Sequence, residues 1–208
     1  MEVKVLKNDR GNIFYKPIIF FESLVKKPLI LVPLLVLIIA NVIYSLSIYP
    51  VALQNLFQNL KDTDIDKSFL LENQVWIETI ACTINIANFI IGIVGTSILF
   101  YFISNIFVDK MNFKKILSLF LVSQIPNALN WIFISIEYRV FNRIPMSLIQ
   151  KNSTMVDVLL DTFNFFFIMH LIMMIISIKI LLNSKKITAI IIVLIYALAI
   201  SIGKLLLG

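Results

Sequence analysis

Apolar runs about twenty residues long recur along the chain, and each is the length at which a helix crosses a hydrocarbon core about 30 Å thick. Five can be scored against that length: 29–48, 80–107, 116–136, 158–178, and 187–202 with an extension to about 206. The chain has only 208 residues, of which 60% are hydrophobic and 14% charged, and its mean hydropathy is +0.95. A soluble domain of this size cannot enclose so much apolar surface, so lipid is the expected solvent.

Lipid offers backbone groups no hydrogen-bond partners, and the runs lack the alternation of barrel strands, so helices are expected. The fold class predicted is an all-α integral membrane protein of five transmembrane helices. No internal repeat divides it, so 13–208 reads as one membrane domain preceded by a short cytoplasmic segment, 1–12. The breaks agree: Pro28 opens the first helix, Asp109 and Lys110 close the second, and Asn183, Ser184, Lys185 and Lys186 form a tight polar hairpin between the last two. The second run is long enough to tilt or to extend past the bilayer.

Orientation follows from the basic residues. Lys4, Lys7, Arg10, Lys16, Lys26, Lys27, Lys110, Lys114, Lys115, Lys179, Lys185 and Lys186 fall on one side, and Lys61, Lys67, Arg139, Arg143, Lys151 and Lys204 on the other. Acidic Asp62, Asp64, Asp66, Glu72 and Glu78 crowd the first long loop. The positive-inside rule places the N-terminus in the cytoplasm and the C-terminus outside. A net charge of +6 is therefore topology rather than a nucleic-acid footprint, and no nucleic-acid partner is expected. The charged stretch before the first run shows no cleavage site after a short hydrophobic core, so no cleaved signal peptide is expected.

Between residues 13 and 25, Phe14, Ile18, Phe21, Leu24 and Val25 recur at helical spacing, with Lys16, Glu22, Lys26 and Lys27 as polar complement. This pattern predicts an N-terminal amphipathic interfacial helix, its lysines against anionic headgroups. A plain cytoplasmic linker is the alternative.

Polar side chains at membrane depth either pair with another helix or mark a functional path. In the second run Asn85, Asn88, Gly92, Gly95 and Thr96 share one face, a strip that lets another backbone approach. In the third, Ser123, Asn127 and Asn130 share a face beside Gln124, and Pro126 predicts a kink near 121–126 whose freed carbonyl an amide can satisfy. Such a kinked, amide-lined helix reads either as packing or as a solute path. In the fourth run Asp157 and Asp161 lie one turn apart at the outer end; Asp157 is a candidate cap, and Asp161 a candidate path residue.

Catalytic chemistry is not expected. His170 is the lone histidine and Cys82 the lone cysteine, too few for a metal site or an internal disulfide, so no cofactor or metal is predicted. His170 is expected to donate one hydrogen bond to a neighbouring helix. Both fourth-run aspartates share one helix without a following glycine, unlike an intramembrane aspartyl protease. No phosphate-binding loop, nucleophile elbow or metalloprotease motif is found.

Three stretches carry a family likeness. They are the segment 16–28, with Pro17, Phe20, Phe21, Lys26, Lys27 and Pro28; Asn112, Phe113, Lys114, Lys115, Ile116, Leu117 and Ser118, followed by Gln124, Ile125 and Pro126; and Leu160, Asp161, Thr162 and Phe163 with the later turn Ser184, Lys185 and Lys186. Their order and spacing over about 16–206 resemble the Ypt/Rab-interacting-protein (Yip) family in its short bacterial form. The chain departs from the family's pattern at Phe165 to Phe167, where tryptophan is frequent, and at 173–176, where a glycine is common.

That resemblance, in a chain rich in Ile, Lys and Asn, implies a multi-pass protein of a bacterial cytoplasmic membrane. It implies a non-enzymatic, membrane-organising role or an accessory subunit of an ABC-type exporter or envelope-defence system. The expected partners are the lipid bilayer and a membrane protein or a second copy of the chain. The alternative is a small-solute or ion permease using the kinked third helix and Asp161.

Overall fold

The computed structural model describes residues 13, 16–59, 72–107, 112–141, 163–183 and 186–207. Among these every regular element is helical: α1 (Pro17–Lys26), α2 (Leu31–Asn59), α3 (Gln74–Phe107), α4 (Phe113–Ser123), α5 (Ile125–Phe141), α6 (Phe165–Leu182) and α7 (Lys186–Leu207). Four stretches are long and apolar enough to span a membrane: Leu31–Leu53, Gln74–Asn105, Phe113–Phe141 and Phe165–Leu182. A fifth apolar helix, Ile187–Ile202, is shorter. The chain is accordingly a helical, membrane-embedded protein.

Several boundaries differ from those expected at 29–48, 80–107, 116–136 and 158–178. The first helix begins at Leu31 rather than at Pro28 and continues past Ile48 to Asn59, through Pro50. Proline lacks an N–H, which frees the carbonyl of the residue four before it. Here that is Leu46, and the Arg139 Nη2 donates to its carbonyl oxygen at 2.9 Å, so α5 repairs the defect in α2. The second helix starts at Gln74, and the Tyr49 hydroxyl donates to the Gln74 carbonyl at 3.3 Å.

The third crossing is two helices, not one. α4 ends at Ser123, Gln124 caps it, and α5 restarts at Ile125 with Pro126 in its first turn. The Gln124 N–H still reaches the carbonyls of Phe120 and Leu121, each at 3.2 Å, so helical hydrogen bonding continues up to the break.

α6 begins at Phe165 instead of 158. Its cap is Asn164, whose side-chain oxygen accepts from the Phe167 N–H at 2.9 Å. Asp157 and Asp161 lie outside the described residues, as does the segment 1–12. At the other end Asn183 adopts φ 45° and ψ 36°, the left-handed conformation that lets a helix turn sharply out. It is the only described non-glycine residue with positive φ.

α1 is docked rather than merely laid on a surface. Phe21 and Leu24 are fully buried in the main core, and the helix packs against α4 and α6. Ile18 and Ile19 stay exposed beside Glu22 and Lys26, so the helix keeps an apolar strip facing outward. The linker after it is pinned by Ser118 of α4, whose hydroxyl accepts from the Leu29 N–H at 2.8 Å and donates to the Leu29 carbonyl at 3.0 Å. In a bundle α2 lies most extensively against α5, and α6 sits centrally against α1, α4, α5 and α7.

Candidate functional site

The break at Gln124 turns one face of α5 toward α3, α6 and α7, and a cavity of about 350 Å³ opens there. Its walls carry Gly92 and Thr96 from α3, Gln124, Asn127 and Asn130 from the third crossing, Asn164 at the start of α6, and Tyr196 from α7. Aromatic rings of Phe89, Phe120, Trp131 and Phe167 complete it, with Phe89 and Trp131 edge-to-face at 5.2 Å. No Asp, Glu, Lys or Arg is among the lining residues.

Inside the cavity the Asn127 amide donates to the Gln124 side-chain oxygen at 2.6 Å, which fixes both groups on the wall. Asn130 and the Trp131 indole N–H make no hydrogen bond among the described residues. Both side chains are half-buried, so their polar groups are accessible to a polar occupant of the cavity.

His170 lies behind the cavity-lining rings of Phe120, Phe167 and Tyr196. It is fully buried, and its Nδ1 contacts the Ser123 carbonyl at 2.7 Å. A carbonyl only accepts, so Nδ1 carries the proton and donates. Nε2 faces the Tyr196 hydroxyl at 3.4 Å, and the ring packs against Phe120, Phe167 and Tyr196. The Ser123 carbonyl, at the helix break, is thus satisfied from α6 by His170. Ser123 itself is fully buried and points its hydroxyl back to the Phe120 carbonyl at 2.7 Å, away from the cavity. Beyond Phe120 the space among α3, α4 and α6 shrinks to a void of about 20 Å³, room for roughly one water.

Pro126 is buried at the start of α5, behind the amide face. The predicted α3 strip is divided among three environments. Asn85 donates to the Ser45 hydroxyl at 2.6 Å and to the Asn41 side-chain oxygen at 3.5 Å, joining α3 to α2. Gly92 borders the cavity and, like Asn88 and Gly95, is also exposed. A methyl group added at Gly92 or Gly95 would meet nothing within 4 Å, so among the described residues no backbone uses the close approach they allow. The aligned face is left open because α2 reaches only its Asn85 end.

Sequence reasoning missed Trp131, Tyr196 and Asn164 as cavity walls and Arg139 as the partner of Leu46. Pro50, just past the first apolar run, is the available signal for the last. Among the described residues no three His, Cys, Asp or Glu side chains cluster as metal ligands would. Comparison with known protein families, curated proteins and solved structures finds no match to this chain.

Proposed function

We propose that this is a non-enzymatic multi-pass protein of a bacterial cytoplasmic membrane, crossing it five times with its N-terminus inside, that works by lateral assembly. It acts as a membrane organiser or as the accessory subunit of an exporter or envelope-defence system. The observation that carries this reading is the outward face of α3. Only 17% of its most apolar stretch is buried, against 50% for the Phe113–Phe141 span. That face presents the Asn88 amide, which has no hydrogen-bond partner among the described residues, next to the open positions Gly92 and Gly95. Small residues beside an amide are what a second helix needs to approach closely and bond in lipid. The likeness to the Yip family points to the same kind of role.

Mild solubilisation followed by crosslinking from Cys placed at Asn88 is expected to recover a defined partner or a second copy, and Gly95→Leu is expected to abolish the product. A monodisperse monomer with no crosslinked product would overturn the proposal. A second reading, a small-solute permease, draws on the amide-lined cavity. Flux into liposomes at the level of empty vesicles, with wild type and Asn127→Ala alike, would remove it.

A further inference from the structure

The amide cavity is not walled off on its α7 side. Thr96 and Tyr196 close it there, and the same two residues open a second cavity, of about 520 Å³, between α3 and α7. Leu99 and Ile103 of α3 and Ile191 and Ile195 of α7 line this groove, which is almost wholly hydrocarbon. It runs toward the ends of α3 and α6, opposite the end where Asn164 caps α6. A polar, aromatic-walled chamber and a hydrocarbon groove are therefore contiguous at one hydroxyl and one ring.

Three features of the pair specify what fits. Neither lining contains a charged side chain, and burying an uncompensated charge at this depth is strongly unfavourable, so the occupant is neutral. The chamber offers side-chain amides, each both donor and acceptor, and hydroxyl groups are the simplest partners that can answer both. The ring faces and edges of Phe89 and Trp131 suit the C–H flank of a compact polyol, and the adjoining groove suits an alkyl chain. We propose that the two cavities together bind one neutral amphiphile, its hydroxyl-bearing head against Gln124, Asn127 and Asn130 and its hydrocarbon chain along the groove between α3 and α7. This goes beyond lateral assembly and requires no passage across the membrane.

Trp131 stands in the chamber wall, and the chain's other tryptophan, Trp76, is exposed at the start of α3, so Trp76→Phe leaves a single reporter. In phosphatidylcholine nanodiscs, monoolein is expected to change Trp131 emission saturably at low mole fraction. Gly92→Leu, whose Cβ would meet nothing within 4 Å, extends a side chain into the chamber, and Ala199→Phe fills the groove; each is expected to weaken binding about tenfold or more. Asn130→Ala is expected to weaken it about fivefold, through lost hydrogen bonds alone. Free glycerol is expected to leave emission unchanged, and lysophosphatidic acid not to compete. Far-ultraviolet circular dichroism checks that each variant is folded, and if Gly92→Leu is not, Ala199→Phe and Asn130→Ala carry the same reading. Saturation by glycerol alone, equal competition by lysophosphatidic acid, a response linear in mole fraction, or a response that survives both filling variants would overturn the proposal.

Discussion

Replacing His170 tests what holds the two half-helices of the third crossing together. The ring is fully buried, its Nδ1–H bonds the Ser123 carbonyl at 2.7 Å, and it touches three aromatic rings. A buried acceptor left without its donor costs about 1–3 kcal/mol. Each aromatic contact adds about 0.5–1.5 kcal/mol, of which leucine keeps the burial but not the geometry. His170→Leu is therefore expected to lose about 2–4 kcal/mol. The position of the donor separates hydrogen bonding from packing. Asn carries its amide nitrogen the same number of bonds from the backbone as Nδ1, whereas Gln carries it one bond farther, nearer the place of Nε2. His170→Asn is expected to lose only about 1–2 kcal/mol and His170→Gln to resemble leucine. The assay is reversible unfolding in mixed micelles along a sodium dodecyl sulfate titration, read by circular dichroism. The reasoning fails if glutamine proves as good as asparagine, or if leucine lies within about 0.5 kcal/mol of wild type.

Other residues yield sharper single tests. Ser118→Ala removes both partners of Leu29 and is expected to cost about 1–3 kcal/mol and to raise hydrogen exchange at the Leu29 amide; unchanged exchange would refute the pinning role. Asn85→Leu should cost about 0.6 kcal/mol, rising to at most about 2, and a double-mutant cycle with Ser45→Ala should show coupling, since the two side chains bond each other at 2.6 Å. Asn183→Val forces a β-branched residue into φ 45° and is expected to cost about 1–2 kcal/mol, whereas Asn183→Gly is tolerated; equal stability of the two would contradict the left-handed cap.

Much of the architecture is legible from periodicity and length alone, because in lipid a continuous apolar run of sufficient length has few alternatives to a helix. The ends of the helices are less legible. α2 outlasts its apolar run because a proline defect can be repaired from another helix, and Arg139 is 93 residues away from the carbonyl it bonds. α6 starts later than its aspartates suggest because Asn164 provides the cap at the first position from which the apolar run is unbroken. The cavity was half legible. Spacing shows that Asn127 and Asn130 share a face, and that Gly92 and Thr96 do, but a helical period says nothing of which helix that face meets. Tyr196 and Trp131 read as ordinary apolar-run aromatics until five helices bring them together around the cavity.

The interruption at Gln124 also has a mechanical meaning. A continuous helix transmits rotation along its whole length, but a crossing split at one residue behaves as two rods joined by a hinge. α4 is tied through Ser118 to the chain leaving α1, and α5 is tied through Arg139 to α2, so each half of the crossing has its own anchor. Gln124 is both the pivot between them and part of the cavity wall. The one residue at which the crossing is interrupted is thus also a residue that any occupant of the cavity would touch.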